Sequence, residues 1–555
     1  MAKKSRRRKN SHPYLISGIV TLIIGAVLYY FLLPPINISS VESWLFVGGL
    51  FIAYTLISCI ANAAVNESLA KAELSKQDKI QFLIIGGGAI ILLIGAVASG
   101  KLFQASKYAN LLKVEEYEFS EVIPESEVIS DIALMDTESA RIVGDRAIGS
   151  LSDVVSQFEV GEDYSQIAFN GKPLKISSLE YAGFFKYLNN KSEGIPGYVS
   201  VDPVTNDAKY VKLNNKIQYT KSAYFGKDLY RKLRFSYPTA IFEGYHFEVD
   251  EAGNPYYICP VVKKTAGLFG AADIKSIVIF DPVTGDSKQY EVGEIPEWVD
   301  RVYDGNLLQE QYDSYGTLQK GYWNSVFGKS GCKKTTDDYG YKIMDNDVWI
   351  YTGVTSVSGD ESNIGFVLMN SRTKESRYFP VAGAEEYSAM SAAEGQVQHL
   401  GYVASFPSII NIDGHPTYIM VLKDNGGLVK MYAMVNVEKY NLVATGSTQS
   451  EVLNAYRTLL HSSGLIQEEV VDLETKDSKI IEVQDIQFIT VSGDTVVYIK
   501  DSEGEVFKQY FAENENLILL SQGDKVNIIF EEGDGEIYTL YSFEIVSSAE
   551  DEEEI

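Results

Sequence analysis

Three apolar runs without a charged residue, roughly Tyr14–Pro34, Trp44–Ala64 and Gln81–Gly100, lie near the start of the chain. Each is about the 20 residues that a helix needs to cross the ~30 Å hydrocarbon core of a bilayer. The pattern therefore predicts a transmembrane region over 13–103 with three spans. After a polar connector (104–137) the periodicity changes. Apolar residues recur at helical spacing from Glu138 to Phe158, and short alternating strands then take turns with helix-like segments as far as 465. The predicted helices are Ser222–Phe235, Glu297–Tyr315 after Pro296, Ala384–Val397, and one opened by the capping box Thr448-x-x-Glu451 and ended by Gly464. From 478 to 547 strands come every 8–12 residues with Gly-containing turns, the pattern of a small all-β, OB-like barrel. The acidic residues 548–555 form a disordered tail in this reading.

One phrase recurs among the strands. Tyr198–Leu213 reads YVSVDPVTNDAKYVKL, Ile277–Val292 reads IVIFDPVTGDSKQYEV, and a looser copy, FVLMNSRTKESRYFPV, runs from Phe366 to Val381. A second type of hairpin links Phe247–Val262 to Ile409–Leu422 through the turns Asp250/Gly253 and Asp413/Gly414, with FNGKPLKI (Phe169–Ile176) and IMDNDVWIY (Ile343–Tyr351) as degenerate versions. The expected order is one helix and two hairpins, four times over. The third copy of the phrase lacks Asp and Gly at its turn.

A helix followed by long antiparallel strands with a D-x-x-T-G turn, clearest at Asp281–Gly285 and weaker at Asp202–Asn206, resembles the PepSY domains over about Ser139–Ser463. The resemblance implies small α+β modules of the kind found in secreted peptidase propeptides and membrane-anchored bacterial surface proteins. It carries no catalytic residue with it. The expected fold class is a three-helix transmembrane region, an α+β ectodomain of repeated PepSY-like units (138–465), and the OB-like barrel.

Charge adds orientation. Lys3, Lys4, Arg6, Arg7, Arg8 and Lys9 precede the first run with no acid among them, so the positive-inside rule keeps the tail 1–12 in the cytoplasm. That run is too long for a signal peptide and ends Leu33-Pro34-Pro35 without a small-residue cleavage site. Three crossings place the large domain outside; two would place it in the cytoplasm, and Lys101, Lys107 and Lys113 weakly oppose the outside exit. The chain carries −27 in total and +6 in residues 1–103, hence −33 beyond them. Such a domain is repelled by nucleic acid and by anionic lipid or cell-wall polymer, and suits a cation or a basic protein as partner.

Candidate chemistry is sparse. His246 and His415 read as surface or hairpin residues, and with His12, His399 and His461 they make no metal-ligand spacing. Ser371-Arg372-Thr373-Lys374 matches S-x-x-K only by chance, at a turn. Gly86, Gly87 and Gly88 suit close helix packing, and Asn62 is the strongly polar side chain noted within the apolar runs. Asp337-Asp338, Asp360-Glu361 and Asp250-Glu251 offer weak Ca²⁺ sites at best, without EF-hand spacing. Cys259 and Cys332 are the thiols of the large domain and leave a disulfide open. No catalytic, cofactor-binding or metal residue is assigned. The expected function is a membrane-anchored extracytoplasmic protein that binds a protein or peptide. The alternatives are a hydrolase with a site between units, and an accessory subunit of a membrane transport or envelope assembly.

Overall fold

A computed structural model describes residues 13–65, 76–126, 132–149, 151–357, 363–466, 477–491, 494–511, 514–531 and 537–546. The basic tail, His12, Asp360-Glu361 and the acidic C-terminal tail lie outside them. Two compact units result: Met1–Val122 with Met135–Glu385, and Ile123–Leu134 with Glu386–Ile555.

In the first unit, helices α1 (Pro13–Leu32), α2 (Val41–Val65) and α3 (Lys76–Ala98) are long and apolar enough to cross a membrane. The described side chains are mostly apolar and outward-facing, as lipid as solvent requires. One polar contact joins two of them. Ser58 Oγ lies 3.1 Å from Gln81 Oε1 between α2 and α3, so Gln81 belongs beside Asn62 among the polar groups of this region. A short helix, α4 (Lys101–Ala109), follows Gly100 directly.

The helix ends are fastened to the domain that follows. Leu33, at φ +50°, leads into Pro34-Pro35, which lack backbone donors and stop α1. Arg234, only 1% exposed, donates from Nε to Leu33 O at 3.0 Å and from its guanidinium to Ala240 O and Tyr230 Oη. Arg231 donates to Tyr30 O and lies over the Tyr30 ring. A cation on the carbonyl end of a helix also complements its dipole. At the end of α3, Ser99 Oγ accepts the amides of Leu268 and Phe269 at 2.8 and 3.0 Å.

The strands of this unit form three sheets. The first orders Phe158–Val160, Lys172–Tyr181, Ile195–Val201 and Ala208–Ile217, with Ser165–Phe169 also paired to Lys172–Tyr181. The second orders Ile241–Phe242, Pro255–Ala266, Gly270–Phe280 and Ser287–Glu291, with His246–Val249 paired to Pro255–Ala266. The third repeats the order with Lys333–Thr335, Asp347–Ser356, Asn363–Asn370 and Ser376–Phe379, and Gly340–Met344 on Asp347–Ser356. In the second unit Val403–Ala404, His415–Lys423, Val429–Asn436 and Val443–Gly446, with Ser408–Ile412, follow the same order. Each sheet is an antiparallel meander whose first strand is broken in two. The preceding helices are Thr137–Gly149, Leu229–Ser236, Gly305–Leu318 and Glu386–Gln396.

Side-chain alternation in the second sheet serves two cores. Cys259, Val261, Val278 and Phe280 pack toward the first sheet, whereas Ile258, Val262, Ile277 and Ile279 pack toward the third. Cys259 and Cys332 are both buried free thiols, so the open disulfide does not form.

The turns explain the recurring phrase. Asp281 Oδ1 accepts the amides of Val283 and Thr284, and Asp202 Oδ1 accepts those of Val204 and Thr205. In the third sheet Asn370 Oδ1 takes the amides of Arg372 and Thr373 at 2.8 and 2.9 Å. The third copy has therefore not lost its acceptor; Asn does the work of Asp. The left-handed position passes from Gly285 (φ +83°) to Asn206 (+63°) and Lys374 (+69°). FNGKPLKI and IMDNDVWIY hold two-residue hairpin loops, Asn170-Gly171 and Asp345-Asn346, with positive φ throughout, as Asp413-Gly414 does in the second unit.

The predicted helix from Glu297 begins instead at Gly305, capped by Asp304, whose Oδ1 accepts the amide of Asn306. The amides of 300–303 are taken by Glu248 and by Ser371 O, so this stretch cannot be helical. The predicted 222–235 helix likewise starts later, at Leu229, where Asp228 accepts the amide of Arg231. In the second unit the Thr448 cap is as expected: Thr448 Oγ1 accepts from Glu451 N and Gly464 ends the helix at φ +69°.

The second unit also contains a closed five-stranded barrel, Asp477–Val491, Asp494–Asp501, Val506–Tyr510, Ile537–Ile545 and Lys525–Glu531 in that spatial order. The long first strand pairs at its two ends with different neighbours, and Val506–Tyr510 and Ile537–Ile545 run parallel. A five-stranded barrel with this strand order is OB-like, as the strand spacing predicts. Ile499, Phe507, Val526 and Ile528 fill its core.

Two substitutions test the anchor and the turn. Arg234→Met leaves the Leu33 and Ala240 carbonyls without their donor and should destabilise the first unit by about 2–3 kcal/mol, read as a lower unfolding midpoint of the full chain in detergent. Gly285→Ala meets both positive φ and the Tyr219 ring, 2.5 Å from where the new Cβ would stand. It should cost about 1–3 kcal/mol, whereas Gly293→Ala, also at positive φ but in open space, should cost less.

Candidate functional site

The last strand of each meander pairs with one other strand of that meander. In the first sheet that strand, Ala208–Ile217, is terminal, and its outer edge pairs with no strand among the described residues. Lys209 and Lys212 stand exposed along it, a common way for a sheet edge to resist indiscriminate pairing. In the third sheet the matching strand, Ser376–Phe379, is already covered. Val114–Glu116 lies along it in parallel, in register from Val114↔Ser376 to Glu116↔Tyr378, and the Tyr117 amide adds a bond to Tyr378 O. The chain thus supplies its own example of strand addition at this position.

Beside the first-sheet edge lies a polar cleft of about 420 Å³. Lys212, Asn214 and Asn215 line one side; Asn254 and Thr284, from turns of the second sheet, and Tyr256 of its strand Pro255–Ala266 line the other. Tyr198 Oη donates to Gly253 O at 3.3 Å. The carboxylates at its rim are committed to their own turns. Asp250 accepts the amides of Ala252 and Asn254, and Asp281 accepts those of Val283 and Thr284 with the Thr284 hydroxyl. What remains is amides, an ammonium group and an open backbone edge, which can recognise an extended peptide.

A buried polar junction holds these surfaces in place. Glu248, fully buried, accepts the amides of Asp300 and Arg301 at 3.0 and 2.9 Å. Asp300 Oδ2 takes the Ala168 amide of the first sheet at 2.7 Å. Arg301 pairs with Asp304 at 2.6 Å, and Asp347 with Arg372 through two bonds of 2.6 and 2.7 Å. Burial pushes the Glu248 carboxyl up to about 7, against the pull of those two amides and of Arg301. Asp300 is raised by burial and by Glu248 beside it. Lys175, buried near Asp136, is pushed down to about 8 by desolvation. His246 is half-buried rather than a surface residue; enclosure and the Arg301 charge hold it below the ordinary histidine range. His415 Nε2 lies 3.2 Å from Leu465 O at its hairpin.

Among the described residues, Asp337-Asp338 and Asp250-Glu251 join no group of three metal-ligating side chains. In the barrel, Asp501, Glu503 and Glu505 do come together, a cluster that the sequence pattern did not single out. Lys479 Nζ lies 3.3, 2.6 and 2.7 Å from their carboxylates and already supplies the balancing cation. Asp501 Oδ1 also accepts the amides of Glu503 and Glu505, which explains their approach.

No protein-family model matches the chain, and no curated protein matches it. Among solved structures, a levansucrase mutant from B. megaterium aligns over 78% of this chain and 98% of its own at 8% identity, with a TM-score of 0.17. A second mutant of that enzyme aligns over 76% and 98%, also at 8% identity, with a TM-score of 0.14. Scores this low show no common fold.

The raised Glu248 value fixes a sign. A carboxyl that binds its proton more tightly in the folded chain stabilises it at low pH, and that contribution is lost as pH rises through about 7. His246, held neutral, acts oppositely, but only below its ordinary value near 6.5. Between pH 6.5 and 8 the first unit should therefore lose about 1 kcal/mol through Glu248. Lys175, pushed down to about 8, acts oppositely as pH approaches 8, so the comparison decides: from pH 6.5 to 8 the thermal midpoint of the full chain should fall relative to that of Glu248→Gln.

Proposed function

We propose that this chain is a membrane-anchored extracytoplasmic binding or scaffold protein whose ectodomain is built from four PepSY-like α+β units, and that it takes a protein or peptide as an added strand. The observation that carries this reading is Val114–Glu116 on the third sheet, beside the open equivalent edge Ala208–Ile217 of the first. Main-chain hydrogen bonds would give affinity, and the cleft side chains Lys212, Asn214, Asn254 and Tyr256 would give selectivity. The recurring strand order and the shared Asx turns support descent of the sheets from one unit. Three apolar helices support membrane insertion. The basic residues before α1 support a cytoplasmic N-terminus and an exterior domain.

Two experiments test this. Protease added to intact cells should remove the domain beyond α3; digestion only after lysis would place it inside. With a photo-crosslinking residue in place of Lys212, irradiated cells should yield a discrete adduct that the change Val211→Pro in the same edge strand weakens at least tenfold. No adduct at Lys212, or one indifferent to Val211→Pro, would count against strand addition.

A further inference from the structure

An aromatic patch lies where the first unit meets the end of α1. Phe184, Phe185 and Leu188 lie on the short helix Phe184–Asn190, and Tyr224 and Phe225 on the turn before the helix Leu229–Ser236. Phe185 is 77% exposed, Phe225 54% and Phe235 54%. They form one surface: the Phe184 ring lies 4.9 Å from Tyr224 and 6.4 Å from Phe225, and Tyr187 Oη donates to Tyr224 O. In water, this much contiguous aromatic surface is unfavourable.

Its position relative to the membrane helix is fixed by contacts. Phe225 O accepts from Arg231 Nη1 at 2.7 Å, and the same guanidinium donates to Tyr30 O and covers the Tyr30 ring. Phe235 packs edge-on against Tyr29. The patch is thus a side chain or two from the last turn of α1, where Phe31 and Leu32 are themselves exposed. A span of the length of Tyr14–Leu32 puts that turn at the boundary between hydrocarbon and headgroups. Aromatic rings concentrate at this depth.

Two further observations agree. Phe225 has φ +54°, an unfavourable backbone for a bulky side chain, which the carbonyl bond to Arg231 helps to hold. The charge is also inverted locally: apart from the buried Arg234, segments 184–191 and 222–235 contain Lys186, Lys191, Lys227, Arg231 and Lys232 against Asp228 alone, in a region that carries −33 overall. Lysine and arginine flanking aromatic rings suit an anionic lipid surface.

We propose that Phe184, Phe185, Leu188, Tyr224 and Phe225 form a lip that inserts into the headgroup–acyl boundary of the bilayer spanned by α1. The lip holds the domain against the membrane beyond what the helices alone would impose. This rests on membrane insertion of the helices and not on which side the domain occupies.

The test uses the full chain in nanodiscs of phosphatidylcholine and phosphatidylglycerol, with spin labels at Phe185→Cys, Phe225→Cys, Phe31→Cys and Thr205→Cys in a Cys59→Ala background. Cys259 and Cys332 are buried, and the background chain without an added cysteine measures any residual labelling. Labels at 185 and 225 should collide more with oxygen than with a water-soluble nickel chelate, as the label at 31 does, with at least a threefold lower nickel accessibility than at 205. Aqueous accessibility equal to that at 205, or shielding from both agents, overturns the lip; if the label at 31 stays lipid-exposed, the helices still span. In the unsubstituted chain, lipids with a diazirine near the glycerol should crosslink to peptides covering 184–188 and 224–225. Crosslinks confined to the helices would overturn the proposal independently.

Discussion

Arg234 is the contact on which the placement of the first unit depends. A guanidinium withdrawn from water is costly unless its donors find acceptors, and here they find Leu33 O at the end of α1 and Ala240 O just before the second sheet. The same residue therefore caps the apolar helix α1 and fixes the start of a β-meander. Ser99 plays the corresponding part at α3 by accepting the tip amides of the Pro255–Ala266/Gly270–Phe280 hairpin. With both ends held, the domain is a continuation of the helices rather than a load on a flexible tether.

From that fixed point the three sheets of the unit are stacked through residues of alternating direction. The second sheet is apolar on both faces because it lies between two cores, and the junction around Glu248 and Asp300 joins its edge to the first and third sheets. The cost of burying these charges is offset by backbone amides that would otherwise be unsatisfied. Like the short first strands, the recurrent last strands each lie at the end of their meander. One of them is occupied by the chain itself, and another borders the cleft.

The membrane helices, the barrel and the Thr448 cap were legible in the sequence because each rests on local pattern: charge-free length, strand spacing, or a side chain three residues from its amide. The turn of the third sheet was obscured because its pattern was sought as Asp and Gly. The physical requirement is an acceptor at the first position and a tolerated left-handed residue at the fifth, which Asn370 and Lys374 meet. The helix expected from Glu297 failed for a tertiary reason, since Glu248 and Ser371 claim the amides that it needed. The cleft, the polar junction and the aromatic lip were invisible for the same reason: they join segments tens of residues apart. Duplication of the strand phrase without a recognisable catalytic set pointed toward a binding module, and it named no site.

Fixed attachment is the central claim, because both the orientation of the open edge and the lip follow from it. Amide hydrogen exchange of the full chain in nanodiscs tests it most directly. Residues 229–240 and 266–270 should exchange as slowly as the neighbouring second-sheet strands. Exchange there on the timescale of an unstructured linker, with the sheets still protected, would contradict the account.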